Sequence, residues 1–228
     1  MKILALETSG DYCSVALWRD GAIDDCEILA GQRQSGLLLD QVHELLASCA
    51  VRLADVDGIA FGAGPGSFTG LRIACGVAQG LAWGLNKPTV GVNTLQALAE
   101  ASGAARVACC VDARMREVYQ AAYEKIDGAW HTVQAPGVYA PNAVPPLPGD
   151  GWFGCGSGFA VYHDVLCARY GALLTAVSDS DSGNVHARAR DVAALAAPVF
   201  ARGGGLAPEF AAPIYVRDKV ALKTHERQ

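Results

Sequence analysis

Apolar residues run without a break from Ile3 to Leu6 and stop at Glu7-Thr8, the pattern of a strand buried on both faces. Ser9-Gly10-Asp11 carries turn chemistry, and Cys13–Trp18 resumes the strand. Asp20-Gly21 is a two-residue hairpin signal leading into residues 22–30. From about Ser35 the period changes: Leu38, Val42, Leu45 and Cys49 recur three and four apart, which predicts a helix. Val56–Phe61 is the next strand, and Thr69–Leu85 is a second helix that Asn86-Lys87-Pro88 terminates. Between them lies the glycine-rich loop 62–70. Thr89–Val92 is a short strand, and Asn93 or Thr94 caps a helix through Ala101.

After Ser102-Gly103 the plan restarts. Arg106–Val111 is an apolar strand that ends in Asp112, as the first strand ended in Glu7. Glu117–Lys125 and Trp130–Tyr139 are the next two strands, with Asp127-Gly128 as their turn. Residues 141–148 hold four prolines and form a loop. Trp152-Phe153 then enters Gly154-Cys155-Gly156-Ser157-Gly158, which opens a helix through Tyr170. Asp191–Ala201 is a further helix, and Pro213-Ile214-Tyr215-Val216-Arg217 is a short extended piece before a polar tail. Strand, acidic turn and hairpin thus recur about a hundred residues on, followed in both halves by strand, glycine loop and helix. Hairpins mixed with βα units predict an α/β protein of two lobes, 1–103 and 104–228, each with a mixed sheet flanked by helices.

With 228 residues and 51% hydrophobic content, the chain can bury a sizeable core and is far too apolar for disorder. No run approaches the ~20 apolar residues of a membrane helix, and Met1-Lys2 leads straight into a strand, so the expected setting is cytoplasmic. The eight cysteines form no CxxC pair and sit mostly in apolar runs, as reduced core thiols do. A net charge of −5 opposes a chain that grips nucleic acid by itself. Lys219, Lys223 and Arg227 in the tail, with Arg217, are the one basic cluster, most simply a solvated end.

The loop 62–70 fails both stringent phosphate signatures. Gly66-Ser67-Phe68 lacks the lysine of a P-loop, and Thr69 stands where the dinucleotide pattern needs its third glycine. A tight structural turn is the simpler reading. Gly76, Gly80 and Gly84 lie four apart on one helix face, and each interior glycine costs about 1 kcal/mol relative to alanine. Such a stripe lets another backbone approach, from the same lobe or from a partner chain, with Arg72, Ile73, Val77 and Leu81 at its edge. Glu7 at a strand end either holds a metal-bound water or caps its turn. Asp112 and Arg114 occupy the matching place in the second half, where two residues that close can pair with each other, though an inter-lobe ion pair is the expectation. No His pair has HxxxH spacing and no Ser sits in a GxSxG elbow, so no catalytic, cofactor-binding or metal residue is assigned.

These residues resemble those of the bacterial TsaB family. The carrying segments are Ile3–Thr8 with Cys13–Leu17, the run Gly64-Pro65-Gly66-Ser67-Phe68-Thr69-Gly70-Leu71-Arg72-Ile73, and Gly76 with Ala78–Ala82. Gly91–Leu95, Asp112–Met115 with Glu117-Val118-Tyr119, and Pro213–Arg217 complete the match in order along nearly the whole chain. The resemblance implies the two-lobed fold of the actin, sugar-kinase and heat-shock-chaperone superfamily. It also implies a non-catalytic, accessory subunit that activates a TsaD-like catalytic partner in threonylcarbamoylation of the adenosine beside the tRNA anticodon. A TsaE-like ATPase would join, tRNA would be met only indirectly, no cofactor is implied, and a homodimer is open to the chain when alone. The implied partner face comprises Leu38, Val42, Thr69, Arg72, Ile73, Gly76, Val77, Gly80, Leu81 and Gly84. Glu7 where the family often has Asp, and Gln34 where a histidine is common, depart from the pattern. The alternative is a nucleotide-binding ATPase or glycoprotease-like hydrolase acting on its own.

Overall fold

The computed structural model describes residues 1–31, 33–178 and 185–217. The tail lysines 219 and 223 and Arg227 lie outside the described residues. The first sheet contains β1 (Lys2–Glu7), β2 (Tyr12–Arg19), β3 (Ala22–Leu29), β4 (Gly58–Gly64) and β5 (Thr89–Asn93), in the order β3-β2-β1-β4-β5. The meander β1-β2-β3 is antiparallel, while β4 and β5 continue the sheet in parallel. The second sheet is built from β6 (Arg106–Asp112), β7 (Val118–Ile126), β8 (Ala129–Tyr139), β9 (Trp152–Cys155) and β10 (Leu174–Val177). Its order from the meander edge is β8-β7-β6-β9-β10, which repeats the first sheet strand for strand.

The local chemistry explains the repeats. At both hairpins an Asp-Gly pair takes positive φ, 49° and 99° at Asp20-Gly21 and 51° and 79° at Asp127-Gly128, the twist that matches paired strands. β1 is apolar from Ile3 to Leu6 because both its faces are covered. Leu4 and Leu6 pack with Leu38, Leu45 and Ala78 on one side, while Ile3 and Ala5 pack with Val192, Ala196 and Phe200 on the other. The first layer is α1 (Gln34–Ser48) and α2 (Phe68–Leu85). α2 ends at Asn86, which adopts φ 52° while its neighbour Lys87 donates to the Ala82 carbonyl.

α3 (Thr94–Ser102) starts at Asn93, whose side chain accepts from the Leu95 and Gln96 amides. Although it follows the first sheet in sequence, α3 packs on the second, where Leu95, Leu98 and Ala99 meet Val107, Cys109 and Tyr123. α6 (Ala189–Ala201), the last helix, returns in the opposite sense and packs on β1, β2 and β4. Each half thus lends a helix to the other's sheet.

Three further differences have local causes. The expected helix to Tyr170 is broken at Tyr162 (φ −124°, ψ 34°) into α4 (Ser157–Val161) and α5 (His163–Tyr170). β10 was not expected, because a four-residue edge strand carries too short a pattern to read. The proline segment turns once at Pro141–Ala143 and then lays the buried Val144 and Leu147 over the second core.

Candidate partner-binding site

α2 seats Leu71, Ala74, Cys75, Ala78 and Ala82 on the first sheet. Its outer edge repeats every fourth residue as Phe68, Arg72, Gly76, Gly80 and Gly84, all solvent-exposed. A Cβ placed at Gly76, Gly80 or Gly84 would meet nothing within 4 Å, so nothing in the described chain requires them to be glycine. Thr69 is exposed beside them, and Ile73, Val77 and Leu81 are half-buried flanks that lean on the core. Leu38 and Val42 are different: both are buried in the chain's own core with Leu4, Leu6 and Ala78. Their apolar spacing on α1 marks the inward face, which is the core face.

α1 instead turns Leu39, Asp40 and His43 outward, with Leu39 53% exposed. On α2, Trp83 is 66% exposed next to Gly84. Residue spacing missed Leu39 and Trp83, since one exposed apolar side chain does not disturb a periodic pattern. Together with the glycines they make an apolar, side-chain-poor surface on adjacent helices.

The glycine loop is packed from within. A Cβ at Gly62 would overlap the Glu7 carboxylate, one at Gly66 would crowd Ser9, and one at Gly70 would overlap the Thr8 carbonyl oxygen. The amides are also engaged: Ser67 N–H donates to the Ser9 carbonyl (2.8 Å), and Gly70 N–H to the Ser67 Oγ (3.3 Å). Thr8 Oγ1 returns a bond to the Gly70 carbonyl at 2.7 Å. The glycines thus bring the Glu7–Ser9 turn against the start of α2 and leave these donors committed inside the chain.

Glu7 is fully buried behind this loop. Its Oε1 accepts from the Ser9 amide at 2.5 Å, while Oε2 has no partner among the described residues. Burial pushes its carboxyl up from 4.5 to about 7, against the pull of the Ser9 bonds and of His186. His186 stacks on Tyr12 with ring centroids 4.0 Å apart and meets Glu27 at 2.9 Å. Because the folded pKa is raised, this group's stabilising contribution is complete below about pH 4.5 and is lost as the pH climbs to 7. Above that, the buried charge costs about 3 kcal/mol. Glu7→Gln is expected to raise Tm by several degrees at pH 8 and to change it little at pH 5, measured by calorimetry. An equal shift at both pH values would show that the charge is not the cause.

In the second half, Asp112 and Arg114 pair within their own turn, Nη1 to Oδ2 at 3.3 Å, and not across the lobes. Arg114, Met115 and Arg116 hold φ of 59°, 55° and 61°, three successive left-handed residues without a glycine. Each costs about 1–2 kcal/mol in such a conformation. Arg217 instead reaches this turn from a distant segment, pairing with Glu117 at 2.5 Å and donating to the Ala113 carbonyl. At the other end of this C-terminal strap, Ile214 N–H donates to Ala63 (2.7 Å), and Arg72 Nε donates to the Tyr215 hydroxyl (3.0 Å). Between them Pro65, Phe68, Tyr119 and Tyr215 line a cavity of about 30 Å³, room for water and not for a nucleotide.

All eight cysteines are free thiols. Burial pushes Cys13 up to about 11 and raises Cys109 and Cys110 further, which suppresses thiolate chemistry. Among the described residues no group of three His, Cys, Asp or Glu side chains is placed to hold a metal. Among them, too, no helix is long and apolar enough to cross a membrane.

Two mixed sheets of one topology, each covered by a helix from the other half, define an internally duplicated α/β protein. The family model described as TsaD, tRNA N6-adenosine threonylcarbamoyltransferase, matches residues 29–221. The tRNA threonylcarbamoyladenosine biosynthesis protein TsaB of Escherichia coli is 38% identical over 98% of this chain and 97% of its own length. Its namesake in Haemophilus influenzae is 38% identical over 71% of this chain and 74% of its own. The solved structure of YeaZ from Pseudomonas aeruginosa, also 38% identical, superposes with a TM-score of 0.84 over 94% of this chain and 99% of that one. The chain belongs to the TsaB family.

Proposed function

We propose that this chain is an accessory, non-catalytic subunit in tRNA threonylcarbamoyladenosine biosynthesis, which binds and activates a TsaD-type catalytic subunit through α1 and α2. The observation that carries this reading is the open glycine ridge: three helix-interior glycines face solvent, a loss of about 3 kcal/mol relative to alanines. A backbone arriving at Gly76, Gly80 and Gly84 would use that absence of side chains, and Trp83 and Leu39 would supply buried apolar anchors.

The chain itself matches the TsaD model over residues 29–221, which supports a common plan for the two subunits. A TsaD-type partner would then offer a counterpart helix pair, and like faces would meet about a pseudo-twofold axis. The engaged Ser67 and Gly70 amides of the glycine loop and the burial of Glu7 behind it favour a supporting role over phosphate chemistry. A net charge of −5 fits a complex in which other subunits hold most of the tRNA, with a TsaE-type ATPase as the third member and the cytoplasm as the site of action. When no partner is present, the same helices would pair two copies of this chain.

Mixing the chain with the TsaD subunit of the same organism, with a TsaE-type ATPase and an activated threonylcarbamoyl donor supplied throughout, tests this by light scattering and by threonylcarbamoyl transfer to tRNA. The expected result is a one-to-one complex, with transfer only when both are present. Transfer, or ATP turnover, by the purified chain alone would overturn the proposal.

A further inference from the structure

Where α2 begins, the surface changes from bare helix to planar side chains. The Arg72 guanidinium lies 3.4 Å from the Phe68 ring centroid, and the Tyr215 ring stands 6.0 Å from Phe68. All three are exposed. Beside Arg217, whose Nη1 lies 3.7 Å from the Met115 Sδ, the second lobe presents Arg114, Met115 and Arg116, also exposed, with the Arg114 side chain 84% accessible despite its bond to Asp112. The strap makes these one surface: Ile214 bonds the first lobe, Arg217 bonds the Ala113 carbonyl and Glu117 of the second, and its guanidinium lies 5.7 Å from the Tyr119 ring. Phe68, Tyr119, Tyr215 and Arg217 thus line the mouth, Arg72 lies against Phe68 and Tyr215, and the Arg114–Arg116 turn follows Ala113, which Arg217 bonds, with Asp112 and Glu117 as the acidic partners of Arg114 and Arg217.

We propose that this arginine–aromatic surface contacts single-stranded RNA, stacking unpaired bases on Tyr215 and the Arg72 plane while Arg114 and Arg116 meet phosphates. The inference rests on the reading of the chain as part of a tRNA-modifying complex and adds to it one direct contact. Every base offers a π-face, and exposed rings interleaved with guanidinium planes stack on such faces whatever the sequence. An acidic polypeptide would use the charges and leave the flat rings unmatched. The left-handed turn at Arg114–Arg116 keeps two cations outside the packed surface, where a phosphate chain can reach them. The cavity beneath, about 30 Å³, takes no base, so the strand lies across the surface. With an acidic body behind it, the contact is weak alone and adds to what the partner holds.

The test is fluorescence anisotropy with a labelled oligouridylate of about twelve nucleotides and a polyglutamate peptide of equal charge, titrated with the full chain at low salt. Saturable RNA binding is expected, with the salt slope falling by about 1.4 in Arg114→Ala/Arg116→Ala. Tyr215→Ala should weaken binding about tenfold. The double variant Arg114→Lys/Arg116→Lys, which keeps the charges, should retain the slope and provides the check if the alanine variant misfolds. No RNA binding, unchanged binding in the variants, or polyglutamate bound more tightly than RNA would each overturn the proposal. Complex formation with TsaD, measured on the same variants, is expected to be unaffected. Loss of assembly in the wild-type chain with RNA binding intact would instead strike at the functional reading.

Discussion

Gly80→Glu is expected to abolish assembly with a TsaD-type subunit and to leave the melting temperature of the isolated chain unchanged or slightly raised. Position 80 is exposed on α2, and a side chain there meets no other part of the described structure. Glutamate is a better helix former than glycine by about 0.5–1 kcal/mol, so the free chain loses nothing. In the complex the same side chain would hold two backbones apart and bury an unpaired carboxylate, a cost of several kcal/mol. At 1.4 kcal/mol per tenfold, the expected weakening is about a thousandfold or more. Gly80→Ala should fall between the two, with a stabler chain and a measurably weaker complex. Calorimetry on the free variants and titration against TsaD separate the effects, and undiminished binding by Gly80→Glu would remove the ridge from the interface.

Gly70→Ala is expected to behave in the opposite way, on the same helix and by the same chemical change. Its Cβ would overlap the Thr8 carbonyl, a backbone atom held in place by the Thr8–Gly70 hydrogen bond and the Ser67–Ser9 bond. Backbone cannot swing aside as a long side chain can. The expected loss is about 3 kcal/mol or more, a fall in Tm of about 6–12 °C for a chain of this size. Denaturant titration beside Gly76→Ala, which should stabilise, gives the contrast directly. A neutral Gly70→Ala would mean that the Glu7–Ser9 turn is not seated on the helix start.

The contrast between these glycines shows what spacing alone conveys. The residues four apart on α2 form a line whether or not anything lies above it, so Gly76, Gly80 and Gly84 could be placed on one face from sequence. That the face is open needed the coordinates of the rest of the chain. Both Asp-Gly turns and the Asn93 cap were legible because each acts within two or three residues of itself. Leu38 and Val42 were assigned to the partner face because an apolar stripe does not say which apolar neighbour it meets; that neighbour is the chain's own sheet. The Arg217–Glu117 pair joins residues a hundred positions apart, and no local pattern encodes it. Of the two pairings open to Asp112 and Arg114, the local one forms, because two residues that close can satisfy each other without leaving their turn.

The crossing of α3 and α6 bears on how such a molecule reaches its final form. A ribosome releases the first five strands and α3 long before α6 exists, so one side of the opening sheet stays wet until residues near 200 emerge. Maturation of the amino-terminal half then waits on the far end of the polypeptide, and a nascent chain stalled past the midpoint would carry an uncovered apolar sheet.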